Sequence, residues 1–232
     1  MKSAREDILG TIRARQTGRD PAAAREAVAA RLDAHARNIV PARADLTPRD
    51  RVDLFVNFAT EADATLDRIA RPEDVPATLV EFLRAQNLPL SLRQADDPSL
   101  ADIPWDRAPL LERHHGKAVP SDELSLTGAF AAIAETGTLV LISGPEHPTT
   151  LNFLPETHIV VLRASEVAGG LEEVWDRLRQ ATAAGDGFAM PRTVNFVTGP
   201  SRSADIEQTL QLGAHGPRRL HILLIDDLEE KG

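Results

Sequence analysis

The run Ile159-Val160-Val161-Leu162 is apolar at every position, yet it is too short for a helix of ordinary length. Three further short, mostly aliphatic runs lie in the same half of the chain: Thr138 to Ser143, Thr193 to Thr198 and His221 to Ile225. The intervening segments Ala164 to Ala184 and Ser203 to Leu212 are predicted as helices. Strands that are apolar on both faces and are joined by helices are typical of a buried parallel sheet. The sequence therefore predicts an α/β fold.

The first 86 residues have a different character. Only two of the 14 glycines fall in them, and apolar residues recur at helical spacing. Two dipeptides that commonly start helices, Asp20-Pro21 and Thr47-Pro48, open two of the segments. The predicted helices span residues 3–16, 21–39, 48–66 and 72–86. We expect residues 1–86 to form a helical N-terminal part that packs on an α/β domain of residues 87–232.

The composition excludes several classes of function. The chain has 26 Lys and Arg against 35 Asp and Glu, a net charge of −9, and only 4% aromatic residues. An acidic surface with few stacking groups argues against a nucleic-acid partner. No apolar run approaches the roughly 18 residues of a membrane helix, and the first residues lack the apolar region of a signal peptide. We therefore expect a cytoplasmic chain with no membrane partner.

Cysteine is absent from the 232 residues. Disulfides, thiolate zinc sites, a cysteine nucleophile and cysteine-ligated iron–sulfur clusters are thereby excluded for this chain. The sequence also lacks the glycine-rich dinucleotide and phosphate motifs, the zinc-protease motif and the serine-hydrolase motif. We expect this chain to hold no cofactor and no metal of its own.

The first candidate site is the segment Thr127 to Thr138, where small residues surround Glu135 ahead of an aliphatic strand. A carboxylate at the mouth of a sheet can act as a base or a nucleophile, so Glu135 is a candidate catalytic residue. Thr136, Gly137 and Thr138 beside it are candidate substrate-binding residues. The alternative is structural, a tight turn whose small side chains allow two backbones to approach closely.

The second candidate site is the segment Gly199 to Glu207, directly after a predicted strand. Ligands of open α/β sheets bind at turns after the carboxyl ends of strands, and hydroxyl, guanidinium and backbone N–H groups suit an anion there. In the alternative, Ser203 caps a helix and nearby acids offset the helix dipole. Those acids repel a multiply charged anion, so we expect a compact carboxylate. The candidate substrate-binding residues are Ser201, Arg202, Ser203, Asp205 and Glu207.

The third candidate site is the segment Leu212 to Pro217, in which Gly213 is predicted to end a helix. His215 lies in this turn, and an imidazole can transfer protons near neutral pH. His215 is therefore the second candidate catalytic residue, and the alternative is a loop residue that only makes hydrogen bonds. We expect the bends near residues 135, 202 and 215 to converge at one rim of the sheet.

Four segments, taken in order, resemble the lactate-utilization protein C family, the LUD-domain proteins. They are Ala132-Ile133-Ala134-Glu135-Thr136-Gly137-Thr138, Leu154-Pro155-Glu156-Thr157-His158-Ile159-Val160-Val161, Thr198-Gly199-Pro200-Ser201-Arg202-Ser203-Ala204-Asp205-Ile206-Glu207 and Leu212-Gly213-Ala214-His215-Gly216-Pro217. The resemblance covers residues 121–226. The loop Ser143 to Thr150 departs from the family, because some relatives carry a basic residue before the Leu-Pro pair.

The resemblance implies an open sheet of the NagB/RpiA/CoA-transferase type with a helical N-terminal part, and a LUD domain within residues 87–232. It also implies a non-redox role in a system that oxidises L-lactate to pyruvate. The partners would be iron–sulfur subunits, which agrees with the absence of cysteine here. Two alternatives remain open. The chain could be a free-standing enzyme acting on a small carboxylate, CoA ester or sugar phosphate, or a regulatory or scaffold protein that docks through its N-terminal helices.

Overall fold

The computed structural model describes residues 3–16, 20–183, 189–203, 211–213 and 215–228. The chain divides into two compact units, Met1–Ile39 and Val40–Gly232. The first unit contains α1 (Ala4–Gln16) and α2 (Pro21–Ala34). The carboxylate of Asp20 caps α2 by accepting a hydrogen bond of 2.9 Å from the backbone N–H of Ala22. The helix ends five residues earlier than predicted because His35 adopts the left-handed conformation.

The second unit is built on a sheet of six strands, all of which pair in parallel. The strands are β1 (Thr65–Ile69), β2 (Ser91–Gln94), β3 (Glu112–His115), β4 (Leu124–Gly128), β7 (Thr157–Arg163) and β12 (Arg219–Ile225). Their order across the sheet is β1-β12-β7-β4-β2-β3. The predicted α/β class is confirmed.

Helices cover both faces of this sheet, which explains why β7 and β12 are apolar at successive positions, over 159–162 and 222–225. On one face, Ile159 and Val161 belong to the same core cluster as Leu79 of α4 (Val75–Ala85). On the other face, Val160 belongs to the same cluster as Phe55 of α3 (Pro48–Glu61). Successive residues of a strand point to opposite faces, so each of them meets a helix or a neighbouring layer.

A second sheet of four strands has the order β8-β5-β6-β9. Its members are β5 (Ala131–Ile133), β6 (Thr138–Ile142), β8 (Val167–Ala168) and β9 (Val194–Val197). β6 pairs antiparallel with both β5 and β9. The runs at 138–143 and 193–198 are therefore strands as predicted, but assigning them to the parallel sheet was wrong. The turn that joins β5 to β6 is too short for a parallel crossover. The helices α5 (Thr150–Phe153) and α6 (Leu171–Ala183) complete the unit.

Three further predicted helices differ from the structure. The helix predicted over 164–184 begins only at Leu171, because Val167 and Ala168 form β8. The helix predicted over 48–66 ends at Glu61, because Asp63 adopts a positive φ of 65° and residues from Thr65 onward form β1. The helix predicted over 203–212 is wrong at both ends, because β10 (Arg202–Ser203) pairs antiparallel with β11 (Gln211–Leu212). Gly213 consequently follows a strand and not a helix. Asp205 and Glu207 lie outside the described residues.

The boundary predicted at residue 86 stays a prediction, although β1 shows that the segment before it is not wholly helical. Within the described ranges, no helix is long and apolar enough to cross a membrane.

Two buried histidines make the stability of the fold depend on pH. Burial lowers the pKa of His158 to about 3 and that of His221 to about 4. Each neutral ring lies beside a threonine hydroxyl, with His158 Nε2 at 2.8 Å from Thr127 Oγ1 and His221 Nδ1 at 2.9 Å from Thr65 Oγ1. As the pH falls below about 6.5, the unfolded chain binds protons that the folded chain does not. Acid therefore favours unfolding.

We expect the free energy of unfolding to fall by about 2 kcal/mol for each of these rings between pH 7 and pH 5. The variant His158→Gln keeps a polar group within reach of Thr127 but removes one titrating ring, so it should recover about 2 kcal/mol of that fall. Urea unfolding at pH 7 and pH 5 measures the loss of stability in the original chain and its recovery in the variant. An unchanged pH dependence in the variant would contradict the assignment.

Candidate functional site

The parallel sheet has a topological switch between β2 and β4. The chain runs from β2 to the edge strand β3 and then crosses back to place β4 on the other side of β2. Connections leave such a pair of strands in opposite directions, and ligands of open α/β sheets bind in the crevice at their carboxyl ends. Asp97 follows β2 and Gly128 ends β4, so both lie at this crevice.

The Asp97 carboxylate joins three parts of the chain at the crevice. Its Oδ2 accepts a hydrogen bond of 3.1 Å from the backbone N–H of Gly128, and its Oδ1 accepts one of 2.8 Å from Ser99. Oδ2 also lies 3.3 Å from Nδ1 of His147. Burial by itself raises the pKa of Asp97, but the contacts with His147 and Ser99 outweigh it, and the pKa is lowered from its usual value. The buried carboxylate is therefore ionised at neutral pH.

His147 comes to Asp97 from the loop that follows β6 of the second sheet. Reciprocal backbone hydrogen bonds of 3.1 and 3.2 Å between Gly144 and His147 close this loop. The contact with Asp97 raises the pKa of His147, burial opposes that change, and the charges of Asp97 and Glu146 add to it. The two side chains form an ion pair that links the two sheets.

A cavity of about 420 Å³ opens beside this pair, and we call it the edge cavity. Its charged or amide-bearing lining residues are Asp97, Glu146, His147, Asn152, Arg163 and Glu166. Arg163 is itself bound, since its Nη2 lies 2.6 and 2.8 Å from the carboxylate oxygens of Asp102. The volume of the edge cavity is in the range of small-molecule sites.

Sequence reasoning missed both members of the ion pair. Asp97 lies in a stretch, residues 94–120, that contains four prolines and no regular apolar spacing, and the structure places it three residues after β2. His147 lies in the loop noted only as a departure from the family. The available signal was an Asp-Pro pair directly after a strand, which is typical of a side chain that caps the following turn.

Glu135 lies elsewhere, with its carboxylate turned toward the start of α6. Its Oε1 accepts a hydrogen bond of 3.2 Å from the backbone N–H of Leu171, and its Oε2 lies 3.8 Å from Nε of Arg43. Its side chain is only 9% exposed. A carboxylate at this position satisfies a free helix N–H and offsets the helix dipole. This arrangement favours the structural alternative for Glu135.

The neighbours of Glu135 also make structural contacts. Thr138 Oγ1 lies 2.7 Å from both Thr136 Oγ1 and Thr198 Oγ1, which links the turn to the end of β9. Gly137 has a positive φ of 64°, and a Cβ there would overlap the backbone of Ala59 in α3. Close backbone approach therefore accounts for the small residues of this segment.

The other two predicted bends do meet. Ser201, Arg202 and His215 line a second cavity of about 260 Å³, which we call the Ser201–His215 cavity. The backbone N–H of His215 donates a 3.3 Å hydrogen bond to Ser201 Oγ. Arg202 donates from Nη1 to Asp63 Oδ2 at 2.7 Å and from Nη2 to the carbonyl of Ala62 at 2.9 Å.

The Ser201–His215 cavity lies toward the amino ends of the parallel strands, where His158 of β7 pairs with Leu220 of β12. The prediction that this segment follows a strand of the parallel sheet was wrong, because β9 belongs to the second sheet. Glu135 lines neither cavity. Two of the three bends therefore share a cavity, and the bend at Glu135 lies outside it.

In the part of the chain that the structure describes, no group of three or more His, Asp and Glu side chains is arranged to hold a metal ion.

The contacts of Glu135 predict an effect on stability. Glu135→Ala leaves the Leu171 N–H without a partner and should lower the free energy of unfolding by about 1–3 kcal/mol. Glu135→Gln keeps an acceptor oxygen, so it should cost less than the alanine variant. Urea unfolding of both variants measures the difference. If both variants unfold with the same free energy as the original chain but lose biological activity, the result would favour a catalytic role for the Glu135 carboxylate instead.

Comparison with known proteins agrees with the sequence resemblance. The LUD domain family model matches residues 108–225. Lactate utilization protein C of Bacillus subtilis is 30% identical over 166 residues, which cover 71% of this chain and 68% of that protein. The protein of the same name from an Exiguobacterium species is 39% identical over 106 residues, which cover 46% of this chain and 45% of that protein. This chain thus spans between about half and two thirds of these relatives.

A crystal structure of a DUF162 family protein from Deinococcus radiodurans shares the fold, with a TM-score of 0.56. The match covers 78% of this chain and 99% of that one at 18% sequence identity. The family match spans β3 to β12 and includes His147, Ser201 and His215. The resemblance inferred from the four segments is confirmed, and the chain belongs to the LUD domain family of lactate utilization protein C.

Proposed function

We propose that this chain is a non-redox component of a system that oxidises L-lactate to pyruvate, in which partner proteins carry the iron–sulfur clusters. The observation that carries the proposal is the 30% identity with Lactate utilization protein C of Bacillus subtilis over 166 residues. The absence of cysteine supports this division of roles, because iron–sulfur clusters are held by cysteine thiolates.

Of the two cavities described above, the Ser201–His215 cavity is better suited to a small carboxylate such as lactate or pyruvate. Its described lining includes Arg202 and His215 and contains no Asp or Glu side chain. Asp63 and the Ala62 carbonyl orient the guanidinium of Arg202 at the cavity wall, and Asp63 balances its charge as Asp102 balances that of Arg163, so the described lining lacks the excess of carboxylates found at the edge cavity. A guanidinium and an imidazole are both donors that pair well with a carboxylate.

Deletion of the gene tests the role. In a host without other lactate dehydrogenases, we expect the deletion strain to lose growth on L-lactate, and the intact gene to restore it. A tagged copy should co-purify with cysteine-rich iron–sulfur proteins. Normal growth of the deletion strain on L-lactate would contradict the proposal.

A binding experiment tests the cavity separately. Titration with L-lactate should shift the imidazole NMR signals of His215, and His215→Ala should weaken lactate binding by about tenfold, the loss expected for one charge-assisted contact. His114→Ala is the matched control, since His114 is an exposed residue of β3 that lines neither cavity. Lactate binding that is unchanged in His215→Ala would reject this cavity as the carboxylate site.

A further inference from the structure

We propose that Asp97 and His147 form an acid–base pair that serves the edge cavity, and that this cavity takes an uncharged organic ligand whose hydroxyl or carbonyl oxygen bonds to the His147 ring. The inference does not rest on the role in lactate oxidation. It rests on three observations: the constraint on the ring, the charges around the cavity, and the position of the pair in the sheet.

The ring of His147 is held at one nitrogen. Nδ1 lies 3.3 Å from the Asp97 carboxylate, which favours the proton on this nitrogen in the neutral ring and leaves Nε2 as the nitrogen that can accept one. Asp97 cannot turn away easily, because the backbone N–H groups of Gly128 and Ser99 also hold its oxygens. A buried carboxylate that fixes the tautomer of a partly exposed imidazole is the arrangement used for proton transfer.

Gly128 is necessary for this arrangement. A Cβ at position 128 would overlap the Asp97 carboxylate and the Ser99 hydroxyl. Only a glycine lets the end of β4 approach the carboxylate closely enough for its N–H to donate. The pair is therefore built into the crevice at the switch point and is not a chance surface contact.

The charges around the cavity disfavour an anionic ligand. Three carboxylates line it, those of Asp97, Glu146 and Glu166, against the cations His147 and Arg163. Arg163 is already paired with a fourth carboxylate, and Glu166 lies 3.4 Å from Arg177. Even with His147 protonated, four carboxylates face three cations, so the local charge is negative. A carboxylate or phosphate would be repelled here, whereas hydroxyl and amide groups can pair with the lining.

The raised pKa of His147 supports its use as a proton donor as well as an acceptor. Asp97 and Glu146 favour the protonated ring, so near neutral pH more of the His147 rings carry a proton than those of an ordinary histidine. The ring can then donate to a carbonyl oxygen or accept from a hydroxyl. No other reactant is required, because the proton moves only between Nε2 and the oxygen of the ligand.

The first experiment is an NMR pH titration of the His147 imidazole in the full chain. We expect a pKa above 6.5, with the proton on Nδ1 in the neutral ring, and we expect Asp97→Asn to lower that pKa by about one unit or more. The matched control is Asp96→Asn, which disrupts an exposed pair with His115 at 2.7 Å outside the cavity and should leave the His147 signals unchanged. A His147 pKa that does not respond to Asp97→Asn would overturn the pairing.

The second experiment compares L-lactamide with L-lactate, two probes that differ mainly in charge. Lactamide should shift the His147 signals and bind at least about tenfold more tightly there than lactate. His147→Gln, which keeps a polar side chain, should remove this preference. Lactate shifting His147 as strongly as lactamide, or lactamide leaving His147 unperturbed, would overturn the inference. The carboxylate site is read separately from His215 in the same spectra, so failure of one proposal is distinguishable from failure of the other.

Discussion

Burial of the parallel sheet on both faces is the constraint on which the rest of the molecule depends. Val160 and Val161 are neighbours in β7, yet they pack in two different cores, one against α3 and the other against α4. A polar ligand cannot be accommodated within such a sheet, so polar ligands are restricted to the ends of the strands. The two buried rings, His158 and His221, conform to this constraint because both are neutral and lie beside threonine hydroxyls.

The same constraint explains how much of the fold the sequence predicts. The strands β7 and β12 are recognisable because their runs 159–162 and 222–225 are buried and apolar at every position. The strand β1 is not recognisable, because at the sheet edge it carries polar residues such as Asp67, and the helical spacing of α3 continues by chance to Leu66. β6 is apolar throughout and was found as a strand, but its burial pattern does not distinguish a parallel sheet from an antiparallel one.

The candidate site is harder to predict from sequence, because its two main residues lie far apart along the chain. Asp97 and His147 are separated by 50 positions, and they meet only because the chain crosses back over β2 and then forms a second sheet beside the first. The contact between Ser201 and His215 is easier to predict, because only 14 positions separate the two residues. The backbone N–H of Gly213 donates a hydrogen bond of 3.0 Å to the carbonyl of Ser201 and holds the two segments together. The role of Glu135 stays a prediction, because a carboxylate beside a turn looks the same in sequence whether it faces a ligand or a helix N-terminus, and the structure shows its contact with the N–H of Leu171.

The two cavities differ in charge, and that difference argues for separate ligands. Asn152 of α5 lines both of them and is itself buried. Three carboxylates line the edge cavity, whereas the described lining of the Ser201–His215 cavity holds His215 and Arg202, which is paired with Asp63. A single anion cannot favour both environments, because the carboxylates that repel it in one are absent from the described lining of the other. The two proposed sites therefore predict that an anion and an uncharged ligand can be held at the same time, with Asn152 lining both spaces.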